Sequence, residues 1–121
     1  MLAAPDGALN GALVAEGHLE HALDASERAE DYLDQPRVQQ EIAEAAARSV
    51  LYPSYRPEHG WVWAHNIFAM VWYLSGRYSK ALPHFEALGR RAWVVPWYVY
   101  GKPGAARMFA RARRAALGSL P

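Results

Sequence analysis

Residues 61–88, WVWAHNIFAMVWYLSGRYSKALPHFEAL, decide the fold. Trp61 to Leu74 is apolar at almost every position, and Gly76-Arg77-Tyr78 then turns the chain. After the turn, Ala81, Leu82, Phe85 and Leu88 recur at helical spacing. A helix that is apolar all round is stable only when other elements surround it. A second helix with one apolar stripe, joined by a glycine turn, packs antiparallel against the first. The stretch therefore predicts a central helix over 59–75 and a partner helix over 79–89, with Ser79 as N-cap and Gly89 as stop.

Working outward, the same periodicity predicts three further helices. Residues 8–34 place Leu9, Leu13, Ala22, Leu23, Tyr32 and Leu33 at helical spacings, with Gly11 and Gly17 each weakening the helix by about 1 kcal/mol relative to Ala. Residues 1–7 are expected to fray. Pro36 restarts the chain, because proline is excluded from a helix interior but favoured at its first position. Residues 36–52 then carry Val38, Ile42, Ala45, Ser49 and Val50 on one face. Pro53 and Pro57 make a stiff extended connector. Residues 91–104, RAWVVPWYVYGKPG, read as an extended connector packed across the helices, since Pro96 opposes a strand. A last helix covers 104–117, with Ala105, Phe109, Ala112 and Ala116 inward and Arg107, Arg111 and Arg114 as a basic stripe. The expected fold is all-α: one domain over 1–121, a compact antiparallel bundle of about five helices.

Composition narrows the chemistry. At 121 residues, 52% hydrophobic and 21% charged, the chain is globular in type. It has no cysteine, which removes disulfides, thiolate catalysis and cysteine-based zinc sites. The 14-residue apolar run is shorter than the ~20 residues that span a bilayer, and no signal peptide is visible at the N-terminus. A cytoplasmic protein with no membrane partner is the expectation, and the abundance of Arg and Ala suggests a bacterial source. Net charge is +1, yet residues 1–60 hold eleven acids against four Arg, a net of −7. Residues 61–121 hold nine basic residues against one acid, a net of +8. Such halves either neutralise one another within the molecule or present two unlike surfaces, which also gives a route to a homodimer. The near-neutral total argues against nucleic acid as the partner of the basic stripe.

The stretch 62–93 resembles one tetratricopeptide repeat. Phe68, Ala69 and Trp72 occupy the packing positions of the first helix, and Gly76 and Tyr78 match the turn. Lys80-Ala81-Leu82 opens the second helix, and Phe85 and Leu88 fill its inner side. Ala43, Ala47, Val50 and Pro53 echo the second helix of the motif upstream. In that family the exposed side of the first helix lines a concave groove. The resemblance implies that Trp63, Asn66, Met70 and Tyr73 face such a groove and bind a peptide or a partner helix. An Asn among aromatics can pin a peptide backbone while the rings supply anchoring area.

The remaining candidates are histidines. His18 and His21 share a helix face at a spacing that suits a metal, but no third ligand lies nearby, so they read as solvent-facing. His65, inside the apolar helix, reads as a neutral core histidine bonded to Asn66 or a tyrosine hydroxyl. No Ser-His-Asp order, phosphate loop or GxSxG is present. The sequence therefore points to a non-enzymatic interaction module without cofactor or metal. Two alternatives stand beside it: a small regulatory or immunity-type protein neutralising a partner through its acidic N-terminal helices, and a small-molecule or enzymatic site around His65.

Overall fold

The computed structural model describes residues 11–24, 28–52, 60–91, 96–97 and 104–119. The fraying of 1–7, Leu9, the proline connector 53–57 and most of the connector 91–104 lie outside them. Six helices and no strand are found among the described residues: α1 (Gly11–Asp24), α2 (Ala29–Leu33), α3 (Pro36–Ala47), α4 (Trp61–Leu74), α5 (Tyr78–Leu88) and α6 (Ala105–Leu117). The architecture is an all-α bundle. None of these helices is long and apolar enough to cross a membrane.

The helices pack in a simple order. α3 lies on α1, α1 on α4, α4 on α5 and α5 on α6, with the short α2 fitted against α1, α3 and α4. α4 is central: every residue from Ala64 to Trp72 is buried, as a helix without a polar face requires. Its C-terminus closes on Gly76, whose φ of 74° is left-handed. The Arg77 N–H donates to the Trp72 carbonyl at 2.9 Å and the Gly76 N–H to the Tyr73 carbonyl at 3.0 Å. These two bonds form a Schellman closure, which favours glycine at its left-handed position. Because that closure ends at Arg77, α5 starts at once at Tyr78. The Lys80 and Ala81 N–H groups donate to the Arg77 carbonyl. Ser79 lies inside the first turn and is exposed, so it is not the N-cap expected of it.

The inward face expected of 36–52 is buried at Val38, Ile42, Ala45, Ser49 and Val50, although α3 ends at Ala47 and Ser49 and Val50 lie in the turn that follows. α1 departs from its expected pattern. Its buried positions are Ala12, Ala15, Leu19 and Ala22, whereas Leu13 is 57% and Leu23 42% exposed. The cause is the closeness of α1 to α3. A Cβ at Gly11 would lie 2.6 Å from the Ala45 carbonyl oxygen and 2.6 Å from Ser49 Oγ. Alanine and glycine fit against that surface where leucine would not.

The expected single helix over 8–34 is also broken. Arg28 has an extended backbone (φ −65°, ψ 141°), and α2 begins after it. The break has a packing reason. In a continuous helix Tyr32 would stand ~21 Å along the axis from His18, yet the Tyr32 hydroxyl lies 2.8 Å from His18 Nδ1. Folding back buries Tyr32 and Leu33. Within the expected extended connector, Pro96 and Trp97 have helical backbone instead, and both are buried.

Candidate functional site

The four residues expected to line a groove on α4 divide into two pairs. Asn66 and Met70 are fully buried, and Trp63 and Tyr73 are half-buried. Asn66 fails as an exposed clamp because its amide is already engaged. Its Nδ2 donates to the Val62 carbonyl at 2.7 Å and to the Arg91 carbonyl at 3.1 Å. Its Oδ1 accepts from the Trp97 indole N–H at 2.7 Å. A buried indole N–H needs such an acceptor. The rings around it close the centre of this face: Trp97 packs edge-on against Phe109 at 5.4 Å and lies 6.1 Å from Phe85.

Aromatic surface survives at the α4–α5 corner. The Tyr73 and Tyr78 rings are 5.9 Å apart, and Tyr78 is 41% exposed. Lys80 Nζ sits 4.9 Å from the centre of the Trp72 ring, a cation–π contact. Arg77 pairs with Asp34 and donates to the Ser75 carbonyl, which fastens the corner to the end of α2.

His65 is a core histidine, as its setting in the sequence implied, but its partner is neither Asn66 nor a tyrosine. His65 Nδ1 lies 3.0 Å from Nδ1 of His84, which is itself fully buried and stacked on Phe68 at 5.1 Å. One ring must donate to the other, so the shared bond requires a bare nitrogen and a protonated one. His84 Nε2 is buried without a hydrogen-bond partner among the described residues. Burial lowers the His65 pKa to about 4. Burial, and then the charge of His65, hold His84 well below the usual imidazole range. A general base works best with a pKa near the operating pH and access to a reacting proton. Both rings are buried and held on the neutral side. Both rings lie in the packing position between α4 and α5.

His18 also departs from expectation. It is not solvent-facing: its side chain is 12% exposed and bridges three helices. Glu41 Oε2 on α3 lies 2.7 Å from His18 Nε2, and the Tyr32 hydroxyl on α2 lies 2.8 Å from Nδ1. A carboxylate only accepts, so Nε2 carries the proton, and the phenol donates to Nδ1 when that nitrogen is bare. The hydrogen bond from His18, supported by Arg37 at 3.1 Å, holds the Glu41 carboxyl below its ordinary pKa. His21 stacks on Tyr32 at 4.3 Å. No group of three or more His, Asp or Glu suited to a metal occurs among the described residues. This Glu-His-Tyr chain reads as a clamp on the α1–α3 end.

On α6, Arg107, Arg111 and Arg114 are exposed on the side opposite Phe109, Ala112 and Ala116. Arg113, beside the stripe, instead donates to the Gly89 carbonyl at 2.9 Å. Among the described residues the stripe does not neutralise the acidic helices. α6 packs on α5 and α4, and none of the three arginines pairs with a described acid.

The distance from Asn66 to Trp97 in the chain hid their pairing, since nothing local marks either as a partner. For His65 and His84 a signal existed. They lie on either side of the 75–77 turn, and an antiparallel hairpin brings such positions level. Compared with known protein families, with curated proteins and with solved structures, the chain shows no match.

Proposed function

We propose that the chain is a non-enzymatic protein-interaction module, built as a short tetratricopeptide-like array, that engages a protein or peptide at the α4–α5 corner. One observation carries this: the Tyr73–Tyr78 pair, with Tyr78 41% exposed, is held on a helix hairpin fixed by the Gly76 closure and by the Arg77–Asp34 pair. Rigid, partly exposed tyrosines supply contact area at low entropic cost and are enriched among residues that dominate binding energy. Trp63, half-exposed nearer the start of α4, adds a second anchor. The order of packing supports an array. α1 with α3 and α4 with α5 make two hairpins, joined through α1 and α4, and α6 follows as a further helix. The histidines support a non-enzymatic reading, because both clusters are committed to packing.

The test is capture of partners from extracts of the native source, with wild type compared to a Tyr73→Ser, Tyr78→Ser variant. A specific captured protein should be lost while far-UV CD is unchanged. The same set of captured proteins with both chains would contradict the proposal.

A further inference from the structure

The outward faces of α1 and α6 both carry features that the fold does not use. On α1, the side opposite Ala12, Ala15, Leu19 and Ala22 presents Gly17, Glu20 and Asp24, all exposed. A Cβ at Gly17 would meet nothing within 4 Å, so no internal contact requires glycine there. A mid-helix glycine costs roughly 0.5–1 kcal/mol relative to alanine. Beside this row, burial and then the neighbouring charge of Glu20 raise the carboxyl pKa of Glu16. On α6, Arg107, Arg111 and Arg114 stand one turn apart, unpaired with any described acid, on a helix that contains no acidic residue. Like charges at that spacing oppose helix formation.

We infer that these two rows are complementary halves of a self-association contact, in which α1 of one molecule lies antiparallel on α6 of a second copy. The registers agree. Set antiparallel, Asp24 comes level with Arg107, Glu20 with Arg111, and Gly17 with Arg114, each helix advancing by about 1.5 Å per residue. The same register brings Leu13, 57% exposed, within one residue (about 1.5 Å along the axis) of Leu117, 36% exposed, at the end of the contact. Gly17 gives the Arg114 stem a flat place to lie. The pairing cannot form within one molecule, because α6 packs on α5 and α4 and α1 on the other side of the array. The chain thus carries both halves of the contact, and its uneven charge is satisfied between copies. The tyrosine corner is a separate surface, so this contact stands or falls independently of it.

Sedimentation velocity of the whole chain tests it, with two variants of exposed residues: Arg107→Ala, Arg111→Ala, Arg114→Ala, and Glu20→Gln, Asp24→Asn. At about 0.01 M salt, where screening reaches ~30 Å, the wild type should self-associate reversibly; at about 1 M, where it is ~3 Å, it should be monomeric. Each variant, with unchanged far-UV CD, should be monomeric at both salts. A mixture of the two should form a 1:1 complex at low salt, because each supplies the row that the other lacks. A wild type monomeric at the highest soluble concentration overturns the proposal, as does association that survives either variant or a mixture that stays monomeric. A monomer that instead binds a single-stranded oligonucleotide through the arginine row would give that row a different occupant and likewise overturn it.

Discussion

The indole N–H of Trp97 donates to the side-chain oxygen of Asn66 at 2.7 Å, inside the bundle, while the same Asn66 amide donates to the Arg91 carbonyl. This pairing closes the centre of α4 and directs any binding to its ends. Asn66→Ala should therefore destabilise the fold. It leaves a buried N–H and a carbonyl without partners, each costing about 1–3 kcal/mol. Trp97→Phe, which removes the donor but keeps most of the ring, should cost less. Urea unfolding checks both, and an Asn66→Ala variant as stable as wild type would refute the pairing.

The His65–His84 pair makes stability depend on pH. Both imidazoles are held neutral by burial, so their folded pKa values lie below the ordinary 6.5, at about 4 for His65. Between those limits the unfolded chain binds more protons than the folded one, and stability rises with pH. Stability should be fully present above about pH 6.5 and fall as pH drops towards 4, with His65 alone contributing on the order of 3 kcal/mol across the window. Glu41, whose carboxyl is held below its ordinary 4.5, adds to the loss only at the acid end. Denaturant midpoints measured from pH 7.5 to 4.5 should show this fall, and a flat profile would contradict it.

Two glycines on α1 should respond in opposite directions. Gly17→Ala gains about 0.5–1 kcal/mol, because a methyl there meets nothing. Gly11→Ala should lose stability despite the same helix propensity gain, since its Cβ would sit 2.6 Å from the Ala45 carbonyl. Thermal melts in high salt separate the two.

These residues show what the sequence exposed and what it withheld. The apolar run of α4, the Gly76 turn, the α3 face and the inward stripe of α6 were legible, because each is a local pattern with one physical solution. The buried side of α1 was not, because hydrophobicity ranks Leu13 above Ala12 and Ala15, whereas the tight approach to α3 near Gly11 favours small residues there. The break at Arg28 was hidden because a bond from Tyr32 back to His18 decides it. Of the candidate site, Trp63 and Tyr73 keep exposed surface. Asn66 and Met70 do not, because Asn66 takes its partners from Arg91 and Trp97, far along the chain.

The clamp at the α1–α3 end of the bundle is structural. Tyr32→Phe removes one hydrogen bond to His18 and should cost about 1 kcal/mol, a few degrees in Tm. His18→Ala also removes the bond to Glu41, leaving that carboxylate only Arg37 among the described residues, and should cost more. Equal and negligible effects of the two substitutions would mean that the His18 bridge does not hold α1, α2 and α3 together.

The central claim is that the protein meets its partner at the tyrosine corner of α4 and α5. A photo-cross-linking side chain placed at Tyr78, and in a control at the exposed Gln40 on α3, tests it in cells of the native source. A discrete cross-linked protein from position 78, absent from position 40, is the predicted result. No product at position 78, or the same products from both positions, would contradict it.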